Sequence, residues 1–371
     1  MALIDRVEIM MVPLAPKTKR TDAIQSFVCQ ETIIARIHDA DGAIGTGYAY
    51  TIGTGGSSVM RLLADHLAPR LIGREADEIE HIWTDLKFQT HATTVGAITS
   101  LALAAIDTAL WDLRARRVGL PLWKLAGGAK DRAPLYTTEG GWLHLSTQEL
   151  VDDALEAKRL GFGGAKIKIG KCQVREDVSR VEKLRDAVGE DFEIFTDCNQ
   201  AFTVDEAIRR AHMLEPFGLG WIEEPLPADD LDGHIRLNRS TSVPIAVGES
   251  IYSLRHFREY MQKGACSIVQ VDAARIGGIT PWLKVAHVAE AFNMPVCPHF
   301  LMELHVSLTC AVPNGRWVEY IPQLDEITTS RLQIENGFAV APSAAGLGID
   351  WDWDAINARS VETLAIAKGD A

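Results

Sequence analysis

The chain has 371 residues, 47% of them apolar and 23% charged, with a formal net charge of −13. That composition argues against long disordered regions, and the acidic balance argues against nucleic acid or an anionic membrane as a partner. No run of about 18 apolar residues is present, so no transmembrane helix is expected.

The length suits two domains, or one α/β barrel of about 250 residues with an addition. The six cysteines (Cys29, Cys172, Cys198, Cys266, Cys297 and Cys310) are scattered without a C-x-x-C pair. They are read as reduced thiols of a cytoplasmic protein. Asp5, Arg6 and Glu8 interrupt the N-terminal segment, which therefore lacks a secretory apolar core.

In chain order, Arg6–Ile9, Thr32–Ile37 and Gly45–Tyr50 alternate as strands do, with Asp41-Gly42 as a hairpin turn. Residues 15–25 read as a polar loop. Residues 51–58 form a glycine-rich loop without the Gly-Lys-Ser/Thr ending of a phosphate loop, so a mobile lid or turn is expected. Helical spacing follows at Val59–Leu67, Ile79–Leu86 and Val95–Arg114, and Ala126–Ala129 reads as a boundary. Residues 1–127 thus form an α+β domain.

From Ala133 the rhythm becomes strand–helix alternation. Candidate strands are Leu135–Thr138, Ala165–Ile169, Glu193–Asp197, Trp221–Glu223, Ile245–Gly248, Ile268–Asp272, Val296–His299 and Trp317–Glu319. Helical segments lie between them at Thr147–Leu160, Glu176–Val188, Thr203–Leu214 and Trp282–Phe292. This α/β pattern predicts a (β/α)-barrel over 128–336, with 337–371 returning to the first domain.

The strand ends carry the chemistry. Asp197, Glu223 and Glu249 each close an apolar run, at an even spacing of 26 residues. Three carboxylates on one barrel rim repel each other without a cation, and an all-oxygen set suits Mg²⁺. Cys198 and Glu224 fall on the other strand face and are excluded as ligands. Lys166 and Lys168 share a face, where mutual repulsion is expected to lower their pKa values and make a base available. Asp272 and His299 end the next strands, and a carboxylate accepting from the ring Nδ1–H raises imidazole basicity. Glu319 ends the last strand. One reading is a neutral acid that donates to a developing oxyanion; the other is an ordinary ionised rim carboxylate.

As an ordered set, K-I-K at 166–168, D-C-N at 197–199, E-E-P at 223–225, G-E at 248–249, Q-V-D at 270–272, P-H-F at 298–300 and V-E-Y at 318–320 resemble the enolase superfamily, in its mandelate racemase subgroup. Stretches 105–128, 140–144, 271–284 and 298–308 are similar to talarate/galactarate-type acid sugar dehydratases. The resemblance implies a modified (β/α)7β TIM barrel under an N-terminal α+β cap. It implies Mg²⁺ on Asp197, Glu223 and Glu249, with Lys168 as one acid/base and the His299–Asp272 dyad as the other. Lys166, Asn199 and Glu319 would contact the substrate, and the cap loops near 15–25 and 51–58, with Tyr50 beside the second, would set specificity. A homo-oligomer, often an octamer, is also implied.

The expected reaction is loss of water from an acid sugar, with racemisation or epimerisation of a 2-hydroxy acid as the alternative. A non-catalytic sugar-acid-binding protein is a more remote reading. A cycloisomerase is disfavoured, because the subgroup with that activity usually has a lysine in place of the dyad. A metal hydrolase is disfavoured by the carboxylate-rich rim.

Overall fold

The structure is a computed structural model that describes residues 3–27 and 29–369; the extreme ends of the 1–127 and 337–371 segments lie outside the described residues. The cap is a four-stranded antiparallel sheet in the order Glu362–Ala367, Ile4–Leu14, Gln30–Asp39 and Ile44–Thr51. Its three N-terminal strands run longer than the alternation predicts. The hairpin at Asp41-Gly42 forms as expected: Gly42 takes φ +88°, and Asp39 accepts the N–H groups of Asp41 and Ala43.

Helix Ala97–Arg117 packs against this sheet and is buried along most of its length. Two glycines permit the close approach. A Cβ on Gly47 would lie 2.2 Å from the Ala105 carbonyl oxygen, and one on Gly45 would lie 2.1 Å from that of Ala109. The loop predicted at 51–58 shrinks to a turn, because a helix already begins at Gly56.

Six parallel strands follow: Arg132–Thr137, Gly164–Lys168, Glu193–Asp197, Trp221–Glu223, Ile245–Val247 and Ile268–Val269. The predicted strand Val296–His299 is reduced to Val296, which bridges Val269 on one side and Gly315 on the other. Pro295 and Pro298 flank it, and neither has an N–H to donate to a ladder. Strand Val318–Tyr320 then pairs with Arg132–Thr137 and closes the barrel. The predicted strand Ile268–Asp272 stops at Val269, and Asp272 instead caps the short helix Ala273–Ile276.

The linking helices run at Thr147–Arg159, Val174–Val188, Val204–Leu214, Leu231–Asn238, Leu254–Lys263, Ile279–Ala291 and Met302–Ala311. The first opens with a capping box between Ser146 and Glu149. Inside the barrel, Tyr136, Phe195 and Trp221 form an aromatic layer, with the Phe195 and Trp221 rings stacked at 3.8 Å. That layer plugs the barrel as a packed core, and the strand ends project beyond it.

Beyond Gly337, Phe338–Val340 pairs with the start of the first barrel strand, and Glu362–Ala367 reaches the cap sheet. The six cysteines are unpaired. No helix among the described residues is long and apolar enough to cross a membrane.

Candidate active site

Parallel register places Lys168 beside Asp197, and Asp197 beside Glu223, at neighbouring strand ends. Glu249 follows Gly248, which has φ +155° and no room for a side chain: a Cβ there would lie 2.5 Å from the Gln270 backbone. Asp197, Glu223 and Glu249 each offer one oxygen, and these oxygens lie within 4.8 Å of one another. Asp197 and Glu223 are buried and Glu249 is half-buried.

Left-handed backbone marks this rim. Asn199 (φ +46°), Glu224 (φ +37°) and Phe300 (φ +65°) each fall one or two residues after a predicted site residue. Such strain persists only where surrounding contacts enforce it. At Glu224 its effect is to turn that side chain away from the rim that Glu223 faces, whereas Phe300 stays on the cavity wall beside His299. Glu224 accordingly lies behind the site, accepting from Ser250 and Gln200.

The acidic cluster is balanced by cations. Lys166 Nζ lies 2.9 Å from Glu223 Oε1 and 2.9 Å from Glu319 Oε1. Lys168 Nζ pairs with Asp197 Oδ2. His299 lies between two carboxylates, with Nδ1 2.9 Å from Asp272 Oδ2 and Nε2 3.0 Å from Glu249 Oε2. Glu223 also accepts from Gln270 at 2.7 Å and Trp221 at 3.1 Å.

These contacts run against the expected lowering of the lysine pKa values and favour one of the two readings of Glu319. Burial disfavours charge on Lys166, but Glu223 and Glu319 outweigh it and hold the ammonium well above its usual range. Burial likewise opposes charge on Lys168, and Asp197 reverses it to a raised value. The carboxylates, not the neighbouring lysine, therefore set the sign. Glu319 is ionised rather than neutral. Burial pushes its carboxyl up, but Lys166 and His299 pull it down to about 2. It accepts three hydrogen bonds, from Lys166, from Thr138 at 2.6 Å and from the Phe300 N–H at 2.8 Å.

Burial and the Asp197 charge push Glu223 up to about 7. Burial opposes charge on His299 as well, yet Glu249 and Asp272 raise it to about 10. His299, with its hydrogen bond and charge, holds Asp272 below the ordinary carboxylate range despite burial.

Lys166, Lys168, Asn199, Glu249, His299 and Glu319 line one cavity. Asn199 Oδ1 is buried without a hydrogen-bond partner. Tyr50 lines the same cavity, but its hydroxyl is committed to Asp272 at 2.7 Å. The cap loop at 15–25 is clamped to the barrel: Arg20 bonds to Gln323 at 2.9 Å and Glu139 at 3.0 Å, and brings Asp22 and Gln25 to the cavity wall.

Sequence reasoning gave no role to Gln270, Trp221, Thr138 or Arg275. Arg275 lines the cavity, and its guanidinium donates to the Tyr50 and Tyr252 hydroxyls. A cation in the first helical turn after the strand-end Asp272 was the available signal.

A hard divalent cation fits this donor set. Three carboxylate oxygens converge, and the orphaned Asn199 Oδ1 stands nearby as a further acceptor. Asp197 and Glu249 cannot serve such an ion and their present cationic partners at full strength together. Loading would move Lys168 and His299 toward their neutral forms.

Comparison with known proteins gives two family matches. Residues 6–127 match the mandelate racemase / muconate lactonizing enzyme N-terminal domain, and residues 149–355 match the enolase C-terminal domain-like family. An L-talarate/galactarate dehydratase of Salmonella typhimurium is 35% identical over 85% of this chain and 79% of its own length. A 3,6-anhydro-alpha-L-galactonate cycloisomerase of Streptomyces coelicolor is also 35% identical, over 97% of this chain and 100% of its own. The crystal structure of the Salmonella dehydratase, liganded with Mg and L-lyxarohydroxamate, superposes with a TM-score of 0.94 at 32% identity, covering 99% of this chain and 95% of that one.

Proposed function

The chain belongs to the mandelate racemase / muconate lactonizing enzyme family of the enolase superfamily, and from that premise we propose that it is a Mg²⁺-dependent acid sugar dehydratase. The substrate is an aldarate of the galactarate or talarate type, and the product is a 2-keto-3-deoxy acid. One observation carries the reading. Lys168 and His299 line one cavity and are anchored at opposite ends of the carboxylate row, on Asp197 and on Glu249, with Glu223 between them.

Asp197, Glu223 and Glu249 would hold Mg²⁺, which when bound supplies Lewis-acid stabilisation to a substrate carboxylate gaining negative charge. Lys166, cationic at neutral pH, adds a fixed positive charge beside the same carboxylate. Lys168 or His299 in its neutral form removes the proton at C2. The C–H electron pair is first delocalised onto the carboxylate as an enolate, and then forms the C2–C3 double bond as the C3–O bond breaks. The opposite residue, in its protonated form, donates to the departing hydroxyl, so that water leaves. The enol then takes a proton at C3 and releases the C2 hydroxyl proton, which gives the keto acid. Glu319 keeps Lys166 charged and fixes the backbone beside His299, instead of donating to the substrate.

A second reading has its own support. The cycloisomerase relative spans both chains almost completely, although the sequence reading ranks that activity low. In a 3,6-anhydro sugar acid the ring ether oxygen is attached at C3, so the same elimination opens the ring. Racemisation uses the same two bases when nothing leaves from C3.

Proton NMR in D₂O with Mg²⁺ separates these readings. The panel is galactarate, talarate, glucarate, several aldonates, a 3,6-anhydrogalactonate and mandelate. Loss of the C2 proton with a new 3-deoxy methylene from an open-chain diacid is the expected result. The same methylene from the anhydro acid alone moves the assignment to cycloisomerase. Exchange or inversion at C2 without a methylene moves it to racemase, and no change with any compound rejects the acid sugar assignment.

A further inference from the structure

Tyr50 belongs to the cap sheet, yet its hydroxyl lies 2.7 Å from Asp272 Oδ2. The same oxygen meets His299 Nδ1 at 2.9 Å. The direction of these bonds follows from the groups present. Arg275 Nε, 3.3 Å from the phenol oxygen, can only donate, so the phenol proton is directed to Asp272. Tyr50 is 2% exposed, and its ring packs on Phe300 at 4.5 Å. Burial keeps the phenol protonated well beyond its usual range. The second oxygen of Asp272 accepts the Ala274 and Arg275 N–H groups. Every direction in which this carboxylate accepts is therefore assigned, and one of them comes from the cap.

Lys168 is held differently. Its partners are Asp197 and the Trp142 ring 5.5 Å away, both on the barrel side of the cavity. We propose that Tyr50 is the positioning residue for His299, through which the cap acts directly on one acid/base face of the site; it reaches the Lys168 face only at one remove, through Phe27 and Arg20 packed on the Trp142 ring. This rests on the two-base reading above. Without the phenol, Asp272 loses one of its fixed donors and the imidazole loses its orientation. Removing such an outer partner typically costs 10–100-fold in function, by the order of magnitude seen behind ligating histidines.

The test is Tyr50→Phe in the full-length, Mg²⁺-loaded protein, a change that keeps the ring and its packing on Phe300. Exchange of the C2 proton in D₂O is followed for a pair of acid sugars epimeric at C2. The face served by His299 is identified as the one that His299→Asn abolishes. The expected result is a roughly 10–100-fold slowing on the His299 face, with the Lys168 face unchanged and the melting temperature retained. Ring ¹⁵N NMR of His299 provides a readout independent of substrate: one Nδ1–H tautomer in the wild type, and a mixture in the variant. Equal slowing on both faces, or an unchanged rate with an unchanged ring spectrum, overturns the proposal. A wild-type protein that exchanges neither epimer rejects the two-base reading instead, and the ring spectrum still decides the role of Tyr50.

Discussion

Glu319 holds the backbone of Phe300 in place: Oε2 accepts its N–H at 2.8 Å, while Phe300 sits at φ +65° directly after His299. The other oxygen faces Lys166 and Thr138. Glu319→Gln keeps the shape but turns an NH₂ toward one of these donors. An unsatisfied buried group of this kind costs about 1–3 kcal/mol. We expect a lower melting temperature and at least a tenfold loss of turnover on the order expected for a removed electrostatic partner. A Gln variant as stable and active as wild type would show that the ionised acceptor is dispensable.

Chelation should leave the protein folded. Lys166, Lys168 and His299 already neutralise the carboxylate row. Mg²⁺ should then raise the melting temperature, by about 2.7 kcal/mol of stability at a hundredfold excess over Kd. Asp197→Asn and Glu249→Gln should remove that increment. Calorimetry with and without chelator checks this, and a wild-type melting curve indifferent to Mg²⁺ would count against the site.

Asp107 gives a pH dependence away from the active site. It lies on helix Ala97–Arg117 and accepts the Thr280 N–H at 2.9 Å, at the start of helix Ile279–Ala291. Burial pushes its carboxyl from the ordinary 3.8 up to about 7, against hydrogen bonds from Thr280 and Ile279. The folded protein therefore holds a proton that the unfolded chain has released. Stability from this group is full below about pH 4, falls as pH rises toward 7, and is level above that. The full span is roughly 4 kcal/mol. Wild-type melting temperature should fall relative to Asp107→Asn between pH 5 and 8. Parallel curves for the two proteins would refute the assignment.

Gly47 tests the fit between sheet and helix in the cap. A side chain there meets the Ala105 carbonyl and the Ala109 nitrogen at 2.2 and 2.3 Å. Both are backbone atoms within a buried helix, so relief requires the helix to move. Gly47→Ala should destabilise by at least the roughly 1–3 kcal/mol typical of overpacking. Because Tyr50 is on the same strand, activity should also fall. Thermal denaturation and turnover measured together check this; an unchanged melting temperature would show that the contact is soft.

The barrel and its rim were legible because both repeat. Asp197, Glu223 and Glu249 end successive strands, and the βα unit spaces them evenly, so one pattern reports fold and cluster together. What was not legible depends on distances between segments remote in sequence. The sign of the lysine shifts follows from carboxylates whose attraction outweighs both burial and the other ammonium. Nothing within K-I-K states that. Tyr50 and Asp272 are 222 residues apart, and no local pattern announces their bond. The loss of a full strand at Val296 could have been read from Pro295 and Pro298, which deny it ladder donors.

The cap sheet joins the chain's earliest strand to its latest, since Ile4–Leu14 lies between Gln30–Asp39 and Glu362–Ala367. On the ribosome, the outer edge of Ile4–Leu14 must wait for the entire barrel to be translated before its partner emerges. Throughout that interval it presents open N–H and C=O groups, the kind of edge that recruits strands from other chains. In the finished sheet Glu362–Ala367 covers that edge, so the exposure belongs to synthesis and not to the folded protein.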